Sequence, residues 1–155
     1  MKKLRKISAL ILALALICAL AANVLAATVT EDEIRCGSVV YTAKLTGTSN
    51  SATATVKIEN YDQLSSSYYF SGSIELHYVS CDEAIMRPSN YTHASVTRSF
   101  TRYDFTYSNG YSISRGVTCS SGKVMIEASA DYEMVAQITS NTTTTNNTVL
   151  SMELY

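Results

Sequence analysis

Between Val124 and Ile138 every second residue is apolar: Val124, Ile126, Ala128, Ala130, Tyr132, Met134, Ala136 and Ile138. Glu127, Ser129, Asp131, Glu133 and Gln137 occupy positions between them. Side chains alternate across a strand, whereas a helical turn of about 3.6 residues would scatter this set around its whole surface. The segment therefore predicts one long strand with a face in a core and a face in water.

The same period recurs along the chain. Val39, Tyr41, Ala43 and Leu45 form one stripe, and Ala52, Ala54, Val56 and Ile58 another. Turn residues from Gly47 to Ser51 separate them, so residues 38–59 predict a hairpin. A third strand runs from Tyr68 to Val79, followed over Ser80–Asn90 by a loop or single helical turn around Pro88, the only proline. A fourth begins near Thr92 with Ala94, Val96 and Phe100 in phase. At Tyr103, Phe105 and Tyr107 the phase has slipped by one, which a bulge at Thr101-Arg102 would explain. Asn109-Gly110 has the composition of a type I′ turn joining two strands directly. The fifth strand carries Tyr111, Ile113, Val117 and Cys119 and ends at Ser120-Ser121-Gly122. After the long sixth, Asn141–Asn147 reads as a polar loop, and Leu150, Met152 and Leu154 as a short closing strand.

Six or seven strands without a helix predict an all-β fold, an antiparallel β-sandwich, with a closed β-barrel as the alternative. An immunoglobulin-like strand plan is one form of sandwich. Its Trp between paired cysteines has no counterpart, since the chain contains no Trp.

The N-terminus predicts export. Lys2, Lys3, Arg5 and Lys6 precede an uncharged run of 16 residues, Ile7 to Ala22, and Val24-Leu25-Ala26 supplies small residues before Ala27. The run is shorter than the ~20 residues needed to span a bilayer. A signal peptide over residues 1–26 is therefore expected, of the Lys-rich, Ala-rich composition common in bacteria. Retention as an N-terminal membrane anchor is the alternative, because no charge interrupts Ile7–Thr30. Cys18 follows Ile17, where a lipidation signal needs a small residue, and so reads as part of the apolar run. Three Asn-x-Thr patterns, at Asn90, Asn141 and Asn146, are expected by chance in a Thr-rich chain.

Removing residues 1–26 from the 155-residue chain leaves 129, enough for a single sandwich domain over 27–155. Four of the 12 basic residues leave with the leader, so 8 remain against 13 acids, a formal charge of −5. That balance argues against nucleic acid as a partner. It also leaves membrane contact to the leader, unless the strands themselves assemble in a bilayer. Of the remaining cysteines, reversing strands place Cys36 at one end and Cys81 and Cys119 at the other. A Cys81–Cys119 disulfide is accordingly expected in an oxidising compartment.

Catalytic signals are weak. His77 and His93 fall on polar strand faces without recognisable further ligands, so neither a metal nor a cofactor is expected. Cys81-Asp82-Glu83 resembles a nucleophile beside acids, but the disulfide would consume the thiol. The strand-face acids Glu127, Asp131 and Glu133 arise from alternation alone, and no phosphate loop, Cys-x-x-Cys pair or nucleophile elbow is present. Eleven tyrosines and many Ser and Thr suit contact with a protein or carbohydrate. Tyr69 and Tyr91, out of phase with nearby apolar residues, are the expected surface contacts. The reading is an exported, non-enzymatic binding module of unknown ligand. A small secreted hydrolase using His77, His93, Asp82 or Glu83 is one alternative. A β-structured toxin assembling in membranes through Lys123–Thr139 is another.

Overall fold

The computed structural model describes residues 27–138 and 142–155; the leader at 1–26 lies outside the described residues. Eight strands follow one another: β1 (Thr28–Cys36), β2 (Val39–Thr48), β3 (Ser51–Glu59), β4 (Tyr68–Asp82), β5 (Thr92–Thr101), β6 (Ser112–Thr118), β7 (Lys123–Ile138) and β8 (Thr142–Glu153). They form two four-stranded antiparallel sheets, β1-β2-β3-β6 and β5-β4-β7-β8, packed as a sandwich without barrel closure. Among the described residues no helix is long and apolar enough to cross a membrane.

The core is the meeting of two alternating faces. The first sheet contributes Tyr41, Ala43, Leu45, Ala52, Ala54, Val56, Ile58 and Ile113; the second answers with Phe70, Ile74, Leu76, Phe100, Ala130, Tyr132 and Met134. Each face mixes small and large side chains, and together they fill one closely packed core. Gly72 sits where a Cβ would collide with the backbone carbonyl of Glu133 and with the Phe100 ring, so its lack of a side chain admits the close approach. Tyr132 crosses the core and donates its hydroxyl hydrogen to the Lys44 carbonyl at 2.7 Å. The hydroxyl of Tyr41 is buried with no protein partner. Burial raises the pKa of both phenols well above the ordinary value.

Polar contacts join the sheets along both edges. Cys36 Sγ lies 3.0 Å from the Thr144 carbonyl, and the Asn146 side-chain amide donates to the Arg35 carbonyl at 2.9 Å. On the other side Arg98 of β5 donates to the Ser114 carbonyl of β6 at 2.8 Å.

Several expectations are corrected. The strand count rises to eight because β1, whose centre is Glu31-Asp32-Glu33, buries only Ile34 and Cys36. Its acids suit an edge strand, where charge discourages pairing with another chain. The expected polar loop at 141–147 is mostly strand: Thr142–Asn147 forms the first half of β8 and pairs with β7. Strand β7 does not keep one phase throughout. A register shift against Val79 and Ser80 puts Met125 in the core and leaves Ile126 half-buried.

Two connections also differ. No bulge lies at Thr101-Arg102; β5 ends there in a 3-10 turn, Arg102–Asp104. Asn109-Gly110 does not close a hairpin, because β5 and β6 belong to different sheets. Positive φ falls on Gly110 and Tyr111 rather than on the Asn-Gly pair, and the segment crosses between layers.

The expected Cys81–Cys119 disulfide is absent, and Cys36, Cys81 and Cys119 are free thiols. The two do lie at one end, where Glu83 and Cys119 donate backbone hydrogen bonds to Gly122 and Asn50. Alternation along β4 nevertheless turns Cys81 to the outer side of its sheet with Val79, outside the main core cluster, while Cys119 packs against that core. Sharing an end is not sharing a face. Cys36 is fully buried, and burial pushes its thiol pKa up.

Candidate functional site

Two surfaces hold the chemistry-bearing side chains. The first is the outer face of the second sheet, where β5, β4 and β8 present their odd-numbered residues and β7 does so from Glu127 onward, beyond the register shift that turns Met125 inward. Strand pairing sets Glu75 directly opposite Asp131, with His77 opposite Ser129 one step along. His77 Nε2 lies 3.3 Å from Asp131 Oδ2 and 3.8 Å from Glu75 Oε1. One donor atom from each of the three falls within 4.8 Å of the others. Further along the face, Glu127 stands opposite Glu153.

The residues expected to converge in a hydrolase do so only in part. His77 and His93 line one open depression with Ser95, Glu127 and Ser129. Asp82 and Glu83 lie exposed at the strand end, and Cys81 is buried. Glu127, Asp131 and Glu133 share this outer face, as alternation requires. The apolar stripe of β7 that the toxin reading would turn toward lipid is packed in the core, from Ala128 to Ala136.

The second surface is an aromatic tip at the sandwich end where β3 leads into β4 and β5 into β6. Phe105 is buried against Phe70 and Phe100, with ring centroids 5.5 and 5.4 Å apart. It anchors the 102–111 segment. Tyr61 meets Phe70 edge-on at 6.4 Å and stacks on Tyr111 at 4.5 Å, with 13° between the planes. Tyr107 packs edge-on against Tyr111 at 6.4 Å and is otherwise 87% exposed; Tyr103 is 80% exposed.

Hydrogen bonds hold this tip in shape. The Thr101 backbone amide and hydroxyl donate to Asp104 Oδ2 at 2.7 and 3.0 Å, which holds that carboxyl below the usual range. Asn109 accepts from the Thr106 amide at 3.0 Å and donates to the Asp104 carbonyl at 2.7 Å. Arg102 donates to the carbonyls of Ser65 and Tyr68, tying the two loops together. The Tyr111 hydroxyl donates to Asp62 Oδ1 at 2.8 Å, and that bond raises the phenol's pKa. Tyr111 sits at φ 54°, a left-handed conformation that a non-glycine residue keeps only where its surroundings enforce it.

Tyr69 and Tyr91 do not form a common surface. Tyr69 is 44% exposed at the start of β4, whereas Tyr91 adjoins Thr92, which pairs with Ser80 at the strand's far end. Eleven residue steps along β4, from Tyr69 to Ser80, separate those levels, roughly 35 Å. The tip residues Tyr61, Tyr103, Tyr107 and Tyr111 were hidden in the sequence because Tyr103, Phe105 and Tyr107 imitate a strand's alternation. A usable signal was present: Thr101–Tyr111 contains aromatic residues but no aliphatic one. No protein-family model matches the chain, and no curated protein matches it in sequence.

Proposed function

We propose that this protein is an exported, non-catalytic binding module whose contact surface is the aromatic tip, and that its ligand is a carbohydrate. The observation that carries this reading is the pair Tyr103 and Tyr107, exposed on a segment anchored through Phe105 and braced by the Tyr61–Tyr111 stack. Isolated exposed aromatics are ordinary; several on one hydrogen-bonded segment form a prepared surface. A tyrosine ring offers an apolar face for the C–H side of a sugar, and its hydroxyl meets the sugar's hydroxyls. Asp62 adds an acceptor beside the Tyr111 hydroxyl. Ordering the rings before binding reduces the entropy lost on contact.

Export rests on the leader, with Ala27 as the first mature residue. Expression of the full chain in a bacterial host, followed by N-terminal sequencing, tests this directly. A chain starting at Ala27 in the extracytoplasmic fraction is expected; an intact chain in the membrane pellet supports the anchor instead. Binding is tested by co-sedimentation with insoluble chitin, cellulose and peptidoglycan and by a soluble glycan array. Retention on at least one glycan is expected, with a loss of about tenfold or more in Tyr107→Ala or Tyr103→Ala. Retention on none, or unchanged binding in both variants, overturns the assignment.

A further inference from the structure

We propose that Glu75, His77 and Asp131 form a binding site for a divalent first-row transition cation, with Zn2+ the best match. The site is independent of the aromatic tip, and antiparallel pairing builds it. Glu75 and Asp131 are directly opposed across β4 and β7, and His77 lies one step along the same face. His77 Nε2 already stands 3.3 Å from Asp131 Oδ2 and 3.8 Å from Glu75 Oε1. Tetrahedral zinc with bonds near 2.1 Å separates its ligand atoms by about 3.4 Å. All three donor atoms already lie within 4.8 Å of one another, so the triad is close to that spacing before any ion binds.

The charge distribution supports a cation independently of these distances. Like charges directly opposed across a strand pair are destabilising, and no Lys or Arg occupies an outer-face position on β4, β5, β7 or β8. His77 is the nitrogen donor placed between the two carboxylates. One imidazole with two carboxylates suits zinc and its neighbours, whereas calcium and magnesium favour all-oxygen sets. Three protein ligands leave a position for water or for an atom of a partner molecule. The second opposed pair, Glu127 and Glu153, has no histidine in register between its carboxylates and serves as an internal comparison.

Isothermal titration of the protein with ZnCl2, with the histidine side-chain nitrogens followed by NMR, tests the proposal. One zinc per chain is expected, together with a large shift of His77 Nε2 and little change at His93. His77→Ala, Asp131→Asn and Glu75→Gln should each weaken binding by at least about tenfold, since even residues behind the ligands commonly contribute that much. His93→Ala and Glu153→Gln should bind as the unmodified protein does. These positions are solvent-facing, and Asp131→Asn and Glu75→Gln preserve shape, so a folded variant remains even if His77→Ala loses stability. No heat and no His77 shift up to about 1 mM zinc would overturn the site, leaving the histidine as a hydrogen-bond partner of Asp131. Binding that survives in His77→Ala, with shifts only elsewhere, would overturn it equally.

Discussion

The two sheets share a fold and differ in how they treat charge. On the outer face of the first, cations and anions are interleaved: Lys44 lies 3.3 Å from Glu31, Lys57 3.6 Å from Glu59 and Arg35 3.0 Å from Glu33. On the outer face of the second, Glu75, Glu127, Asp131, Glu133 and Glu153 stand without a single Lys or Arg among them. The acidity of residues 27–155 is therefore concentrated on one face. Exposed ion pairs contribute little, so the first face is neutral rather than strongly stabilised. Opposed carboxylates carry a small cost, and a cost borne at two pairs on one face is what a cation-binding surface would show.

The inner faces differ in a parallel way, and the largest predicted effects test that difference. Each sheet buries one tyrosine completely, Tyr41 on the first and Tyr132 on the second, but only Tyr132 finds a partner, the Lys44 carbonyl of the opposite sheet. Tyr132→Ala should cost about 3–5 kcal/mol in urea unfolding, as the loss of a large buried ring does. Tyr132→Phe removes only the inter-sheet hydrogen bond and should cost about 1 kcal/mol. Tyr41→Phe removes a hydroxyl that was buried without a protein partner, and should leave stability unchanged or raise it by about 1 kcal/mol. Equal losses in the two Phe variants would break the contrast.

Alkali sharpens the same pair. Burial raises both phenol pKa values in the folded state. The stabilisation linked to each protonated phenol is complete below the unfolded value of about 10 and is lost as pH rises through the folded one. Stability of the unmodified protein should therefore decline above about pH 10. The double variant Tyr41→Phe/Tyr132→Phe should decline less steeply, in urea melts compared between neutral and alkaline pH. An unaltered slope would mean that ionisation of these rings is not what alkaline unfolding requires.

Charge reversal probes the outer faces. Glu153→Lys places a cation opposite Glu127 and should raise stability by about 0.2–1 kcal/mol at low salt. Lys44→Glu on the first sheet places an acid opposite Glu31 and should lower it by about as much. Thermal melts at two ionic strengths would separate these charge effects from packing, because salt screens exposed pairs. Same-sign shifts in both variants would remove the asymmetry.

Alternation made most of the sandwich legible, because each interior strand of β2, β3, β4 and β7 carries its own core face. Edges were less legible. β1 is acidic and the first half of β8 is Thr and Asn, and both are strands through pairing with a neighbour rather than through apolar content. The outward placement of His77 beside Glu75 could be read from the alternation of β4; their meeting with Asp131 could not, since it depends on the register between β4 and β7. The cysteines taught the same limit. Counting reversals located their end of the sandwich, but the face depended on strand phase. In Tyr103, Phe105 and Tyr107 the period itself misled, because only Phe105 goes inward and the other two rings stay in solvent.

The smallest prediction concerns the neutral face. Lys57 and Glu59 are neighbours on β3, with side chains 54% and 38% exposed. Water and salt screen a pair that open, and holding both side chains costs conformational freedom. Lys57→Ala should therefore lower stability by no more than about 0.5 kcal/mol, and the loss should vanish at high ionic strength. It should also leave zinc binding on the opposite face unchanged, since a core and two sheets lie between. Urea melts at low and high salt, with a parallel zinc titration, would measure both. A loss well above 1 kcal/mol that survives in high salt would show that charge pairing holds the first sheet together, and the neutrality of that face would then be structural.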